Sequence, residues 1–441
     1  MREKMKMDRE KSLIEQAFIF SFPLVLMDIT KEVSTNATEP TKSKAHVNQF
    51  FHAKTLATSE FRQVVTPNVD TLYSQVFFDL KDDALVIRKP YADRYLTFQI
   101  MDAWSNTVAI LGTGGDTDEE KTYILTGPSF RGDIPNGMDR IEVSTSIGWL
   151  IGRTICYGTE DIPNIYKLQN DMDAKTLSVF LSNGEMSKGS DDENKDGVPI
   201  ALAMKLSPTE YFERFNKLLI DNPSYPEDNE LLMEFADLGI GAGLCFSPSL
   251  SSEDLESFWC EMKKLLIPKL TKETLGFMVK NGNFKFYGHP ISHFGKEYGY
   301  RCLIAIAGFG ANPVETAVYL KAEDDDSGEK LSAKNKYLLH FMPNSLPPVG
   351  EHGFWSVTAY GDDNFLISNP LNRYAISNRS NFKLNEDNSL DLILQTEEPN
   401  DNKGNWLPVG NGGFHLFLRI YRPDNSVLNG IWEAPKITKI D

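Results

Sequence analysis

The chain has 441 residues, 41% hydrophobic and 24% charged, an ordinary composition for a folded protein and long enough for two domains. Its 45 basic against 62 acidic residues leave a net charge of −17, which excludes nucleic acid and anionic membrane surfaces as expected partners. Four widely spaced cysteines, Cys156, Cys245, Cys260 and Cys302, form no C-x-x-C pair, so free thiols are expected rather than a disulfide scaffold or a zinc site.

Residues 1–35 predict a helical segment, with an apolar stripe through Leu13, Ile14, Ala17, Ile19, Phe20 and Leu24 and a kink at Pro23. Ala17 to Met27 has the length of a signal-peptide core, but Asp8, Glu10 and Glu15 precede it and no small-x-small site follows. No run reaches the roughly 20 apolar residues that span a bilayer, so a cytoplasmic location is expected. Residues 36–163 predict a first β domain. Thr71–Phe78, Ala84–Ile87, Tyr95–Ile100, Thr107–Leu111, Thr122–Leu125, Arg140–Val143 and Trp149–Thr154 alternate with period two between Gly, Pro and Asp clusters.

Residues 164–310 predict a helical middle: Asn164–Leu181, Pro208–Ile220, Glu227–Leu238, Ser251–Val279 and Tyr298–Ala307, with N-caps at Ser207 and at Ser251 or Ser252. From residue 311 to 441 strands return at Ala317–Leu320, Lys336–Phe341, Gly353–Tyr360, Leu390–Gln395 and Gly413–Tyr421. The predicted fold class is therefore mainly β with a helical insert: two antiparallel β-sandwich or jelly-roll domains bridged by helices. Uncovered strand edges in such a fold predict a homo-oligomer.

Several segments in one order carry a resemblance. They are Asn68-Val69-Asp70-Thr71-Leu72-Tyr73-Ser74, Arg94-Tyr95, Asp102, Asn106, Thr126-Gly127-Pro128 and Gly152-Arg153-Thr154, then Gly310-Ala311-Asn312-Pro313, Phe354 to Thr358, Asn369-Pro370, Asn372-Arg373-Tyr374, Asn405-Trp406-Leu407-Pro408, Arg419-Ile420-Tyr421 and Gly430-Ile431-Trp432. Over nearly its whole length the chain resembles the tandem of two families called domains of unknown function 1254 and 1214. That resemblance implies two β-sandwich domains bridged by helices and no assigned chemistry. Many relatives begin with a secretion signal; this chain departs there.

The densest polar set on predicted strands is Asn68, Asp70, Tyr73, Arg94, Asp102, Asn106 and Arg153. Two carboxylates with an arginine can do acid–base work or hold a small-molecule ligand. The competing reading is a structural network, with Asp70 capping a turn and the arginines pairing carboxylates at sheet corners. Asp192, Asn194 and Asp196 match the first half of a calcium loop, but Ala203 stands where a bidentate Glu belongs. His289 and His293 are four apart, yet Pro290 breaks the helix that would aim both at a metal. No metal site and no cofactor are predicted. No nucleophile elbow or phosphate cradle is found. Trp104, Trp149, Trp355, Trp406 and Trp432 in the β regions could stack on sugar rings; core packing is the plainer reading. The expected function is that of a small-molecule-binding protein or enzyme with a pocket at the first β domain and the domain junction. The alternative is a non-catalytic assembly or carbohydrate-contacting protein.

Overall fold

Period-two alternation separates two β regions in the computed structural model of the chain, which describes residues 2–62 and 64–440. In the first, five antiparallel strands run in the order Phe51–His52, Thr71–Asp79, Ile147–Ile155, Leu96–Asp102, Thr107–Gly112. A second sheet orders Asp139–Glu142, Lys121–Thr126, Leu85–Lys89 and Asp173–Thr176, with one parallel pair between the first two. Val76, Phe78, Phe98 and Leu150 of the larger sheet share a buried core with Leu85, Ile87 and Leu125 of the smaller.

The later region repeats the plan. A six-stranded sheet orders Met278–Asn281, Phe284–Tyr287, Ala317–Ala322, Phe414–Pro423, Val349–Gly361 and Ala375–Ser377. A four-stranded one orders Trp406–Pro408, Leu390–Gln395, Tyr337–Phe341 and Lys436–Lys439, its first pair parallel. Val318, Leu320, Val357 and Leu418 pack there against Leu339, Phe341 and Leu392. Because side chains alternate across a strand, each large sheet keeps a second face. Those faces meet: Tyr95 and Ile155 of the first region form one cluster with Ala317, Phe354 and Tyr421 of the second.

Helices cover the junction from one side. The opening helix, Arg2–Ser34, contains Pro23 without ending there. It buries Phe18, Phe20, Phe22, Leu24 and Val25 in a core shared with Tyr211, Phe215, Trp259, Leu266 and Leu303 from the helices Pro208–Asp221, Ser252–Glu273 and Tyr298–Gly308. By length and composition Lys4–Ser34 is apolar enough to cross a membrane, a test that the buried core helix of a folded protein also passes. Most of its apolar stretch is packed inside the protein.

Both β regions reach past their expected limits. Asp173–Thr176, within the expected helix Asn164–Leu181, is a strand that pairs with Leu85–Arg88. The expected helix to Val279 ends at Glu273, and residues 278–287 form a hairpin on the six-stranded sheet. Asn281 pairs with Phe284, so the turn is Gly282-Asn283, with Gly282 at φ +59°, glycine standing at the first turn position, where a tight hairpin needs a positive φ. The caps agree with expectation: Ser207 accepts from the Glu210 amide at 3.3 Å, and Ser251, not Ser252, accepts from Asp254 at 3.1 Å.

Arg301, fully buried, joins these layers. Its guanidinium lies 5.5, 5.2 and 5.3 Å from the rings of Phe20, Trp104 and Tyr298, and Nη2 donates to the Phe20 carbonyl at 3.3 Å. Tyr225 donates to Asp102, and Tyr298 donates to Asp228 at 2.6 Å, setting two buried carboxylates around the cation. Burial pulls the Arg301 pKa down, and Asp228 and Asp102 oppose that pull. Stranding buried charges is costly, about 3–5 kcal/mol for a broken buried pair. Arg301→Leu is therefore expected to lower unfolding free energy by about 3 kcal/mol or more in urea titration; a loss under about 1 kcal/mol removes Arg301 from this role.

Candidate functional site

The segment Thr66 to Asp70 leaves the first β region and lies on the six-stranded sheet of the second. Asn68 makes the turn: its Oδ1 accepts from the amides of Asp70 at 2.6 Å and Thr71 at 3.2 Å, starting the next strand. Thr66 adopts φ +48°, unusual for a β-branched residue. It is held from both sides, donating its N–H to the Asn364 carbonyl at 2.7 Å and accepting from Arg419 Nη2 at 3.1 Å. The Pro67 carbonyl accepts from Tyr360 at 2.7 Å, and Asn68 Nδ2 donates to the Tyr421 hydroxyl at 3.0 Å. Asp70, 1% exposed, accepts from Arg379 Nη2 at 2.6 Å and from Ser356 at 2.5 Å.

Arg153 stands beside this segment, on the same face of the first region's large sheet. It is paired across strands with Tyr73 and Thr97, and its guanidinium lies 5.6 Å from the Tyr73 ring. Nη1 donates to Gln99 Oε1 at 2.8 Å and Asn312 Oδ1 at 2.9 Å; Nη2 donates to the Gly310 carbonyl at 2.9 Å. Gly310 sits at φ +85°, and a Cβ there would come within 2.7 Å of Ile151, so only glycine presents that carbonyl so closely. Asn312 in turn donates to the Tyr319 hydroxyl at 2.6 Å, and Tyr319 is the cross-strand neighbour of Arg419. Burial works against the charge of Arg153, but the oxygens of Tyr73, Tyr319 and Tyr95 outweigh it and keep the group protonated. Burial also raises the pKa of Tyr95, Tyr319 and Tyr421, so these phenols stay neutral.

Among the described residues, Arg153 Nε and the hydroxyls of Tyr95 and Thr97 on one side, and Arg419 Nη1 and the Thr358 hydroxyl on the other, are buried without a hydrogen bond of good geometry. Thr97 lies near Tyr95, Thr358 near Tyr360 and Arg153 near Tyr73, and Arg301 Nε and Nη1 and Arg379 Nη1 are left in the same state. Arg153 and Arg419 are only 5% and 4% exposed. Asn68, Tyr73, Gln75 and Tyr319 are partly exposed, so the seam between the sheets reaches solvent on their side.

The expected polar set is split. Asn68, Asp70, Tyr73 and Arg153 share the seam. Arg94 instead pairs with Asp161 at 2.6 Å and covers Tyr157. Asp102 accepts from the amides of Trp104 and Asn106 at 2.9 Å and belongs to the Arg301 cluster, while Asn106 accepts from the Phe294 amide. Register explains the distance: Ile155, beside Asp70's strand end, lies opposite Thr71, whereas Asp102 lies opposite Gly148. Seven residues along a strand is roughly 23 Å.

Asp192 caps Asn194, and Asp196 accepts from Lys44 and Asn36, so these carboxylates serve a turn. Among the described residues no group of three or more His, Cys, Asp or Glu is placed to hold a metal ion. Trp104, Trp355, Trp406 and Trp432 are buried, and the half-buried Trp149 stacks on Phe77; none offers a free sugar-stacking face. Sequence reasoning missed Arg379, Arg419, Tyr95, Tyr319 and Tyr421 as site residues. For Arg419 the signal was present: a lone charge between Leu418 and Ile420 in an apolar strand.

Residues 47–176 match the family model described as a protein of unknown function, DUF1254, and residues 316–425 match the one described as DUF1214. With both in tandem, the chain belongs to the family expected from its motifs. It is similar in fold to the crystal structure of the VPA0106 protein from Vibrio parahaemolyticus, at 21% identity over 98% of this chain and 100% of that one, with a TM-score of 0.72. A crystal structure of an uncharacterised protein from Burkholderia cenocepacia also matches, at 11% identity over 98% of this chain and 94% of that one, with a TM-score of 0.46. No curated protein matches the chain.

Two outcomes follow from this geometry. Asp70→Ala should cost about 3 kcal/mol in urea unfolding, and a cycle with Arg379→Ala should show coupling above about 1 kcal/mol; additive losses would contradict a direct tie. Burial depresses His52 and His415 to about 4. A histidine that resists protonation only when folded favours unfolding as pH falls below its free value near 6.5. Melting temperature should therefore drop between pH 6.5 and 4, and His415→Gln should shallow that slope.

Proposed function

We propose that the chain binds a small molecule in the seam between its two β regions, between the faces carrying Arg153, Tyr95 and Thr97 and those carrying Arg419 and Thr358. The observation that carries this reading is the set of unpartnered buried polar atoms on the two facing sheets. Buried polar groups are almost always hydrogen-bonded, and each one left unmet costs about 1–3 kcal/mol. Here they gather beside the partly exposed Asn68, Tyr73 and Tyr319. A junction between domains is also where pockets are commonly built.

Trapped water also satisfies buried polar groups. What favours a ligand is that two of the atoms belong to guanidinium groups, whose burial is far more costly than that of hydroxyls, and that these two, unlike those of Arg301, lie beside partly exposed residues of the seam. Arg153 is moreover held rigidly by three bonds to neutral acceptors from both β regions, the kind of preorganisation that binding sites need. Asp70 and Arg379 then hold the two walls together and do not touch the ligand.

Native mass spectrometry of the purified protein, with a thermal-shift panel of small metabolites, tests the reading. A non-covalent adduct, or a compound that raises the melting temperature in a saturable way, is expected. Thr97→Val, which keeps the shape and removes one hydroxyl, should weaken that effect. A panel without any shift, no adduct, and a Thr97→Val protein more stable than the parent would identify the seam as interior packing only.

A further inference from the structure

We infer that the chain is a fused pseudo-dimer, two copies of one eight-strand unit that close each other's opening strands with matched arginines, Arg153 and Arg419. This stands whether or not the seam holds a ligand. Counted from Thr71–Asp79 to Asp173–Thr176 and from Ala317–Ala322 to Lys436–Lys439, each β region has eight successive strands. Their pairings coincide strand for strand. The first pairs with the seventh, the seventh with the third, the third with the fourth, and the second with both the fifth and the eighth, all antiparallel. The fifth and sixth are parallel in both. An outer strand flanks each first strand, with Phe51 opposite Gln75 and Lys285 opposite Lys321.

Topologies recur in unrelated proteins, but here the register matches too. Arg153 lies opposite Tyr73 and Thr97, and Arg419, on the same strand of its unit, lies opposite Tyr319 and Ser356. Counting along the strands from these rows matches Gln75 with Lys321, Tyr95 with Phe354, Ile155 with Tyr421 and Asp70 with Thr316. The contacts follow the count. Gln75 and Lys321 are both residues that face an outer strand. Three residues after each arginine, the amides of Cys156 and Arg422 donate to the carbonyls of Asp70 and Thr316 at 2.9 and 2.8 Å. The matched rings of Tyr95 and Phe354 meet at 5.3 Å between centroids, as a residue beside a twofold axis meets its own copy. An isologous interface also exchanges like for like. Arg153 Nη2 donates to the Gly310 carbonyl at 2.9 Å, in the lead-in to the second unit. Arg419 Nη2 donates to the Thr66 carbonyl at 3.1 Å, in the lead-in to the first. The copies differ in charge, with Thr316 in one where the other has Asp70.

Hydrogen–deuterium exchange of the full chain, read by mass spectrometry, tests the reciprocal closure. Arg419→Gln should speed exchange over residues 66–71 of the first unit by about fivefold or more, and Arg153→Gln over residues 310–317 of the second. Each should leave the strand that carries the substitution unchanged. If either variant fails to fold, Tyr360→Phe and Gln99→Met take their place, since Tyr360 donates to the Pro67 carbonyl at 2.7 Å and Gln99 to the Ala311 carbonyl at 2.8 Å. Faster exchange confined to the substituted residue's own unit, or spread equally over both, overturns the closure. Thr316→Asp tests the residue match. It sets a carboxylate beside Thr97, as Asp70 lies beside Ser356 in the other copy. With the copies matched, the melting temperature should stay within about 2 °C of the parent or rise, and the same substitution in an Arg153→Gln chain should lower it. A fall of roughly 6 °C or more in both chains, the cost of an unmet buried carboxylate, overturns the match.

Discussion

The Asp70 carboxylate belongs to one β region and finds its counter-charge in the other. At 1% exposure it accepts from Arg379 and Ser356, and a buried carboxylate deprived of such partners would cost several kcal/mol. The tie is therefore also a positional constraint. Because Thr66, Pro67 and Asn68 are bonded to Arg419, Tyr360 and Tyr421 in the same stretch, the first strand of the large sheet enters at a fixed point on its neighbour. From that point the register carries Tyr73, Arg153 and Thr97 across in one row facing Tyr319 and Arg419. The seam is a consequence of where Asp70 is anchored.

A seam built this way has two kinds of polar residue. Asp70, Asn68, Tyr360 and Ser356 have their bonds completed within the protein. Arg153, Arg419, Thr97 and Tyr95 do not. Satisfied groups rigidify a junction, and incompletely satisfied ones reduce its stability. The two kinds side by side fit a wall whose shape is fixed by the first kind so that the second stays in place. Arg301 at the helical end belongs to the second kind by the same measure: Phe20, Trp104 and Tyr298 surround it and Asp102 and Asp228 oppose the pull of burial, yet its Nε and Nη1 have no partner among the described residues.

Much of the fold was legible because apolar side chains report their own periodicity. Thr71–Asp79, Leu390–Gln395 and Tyr298–Gly308 lie within a residue or two of where alternation or helical spacing placed them. What alternation cannot encode is register. Asp70 and Asp102 both sit at strand ends, and nothing local says that antiparallel pairing sends those ends to opposite sides of the sheet. Short strands were lost for a different reason. Asp173–Thr176 has four residues and mixed burial, too few to show a period. The Met278–Tyr287 hairpin did advertise itself through Gly282-Asn283, but the apolar stripe of the preceding helix extended the helical reading over its first strand.

The segments that carry the family resemblance sharpen the distinction between structural and functional polarity. Asn405 accepts from the Lys383 amide and donates to the carbonyls of Lys383 and Asp391, all at 2.8 Å. Arg373 donates to the carbonyls of Lys403 and Trp406 at 2.7 and 2.9 Å. Both therefore satisfy irregular backbone at a sheet margin, where unpaired carbonyls would otherwise be stranded. A motif of polar residues in a β protein is thus no evidence of chemistry by itself. Arg153 differs from Arg373 by one physical criterion: it is buried and still holds a donor that no atom of the described residues accepts in good geometry. That criterion cannot be read from a linear sequence, since it depends on which backbone carbonyls and side chains the two sheets bring opposite each arginine.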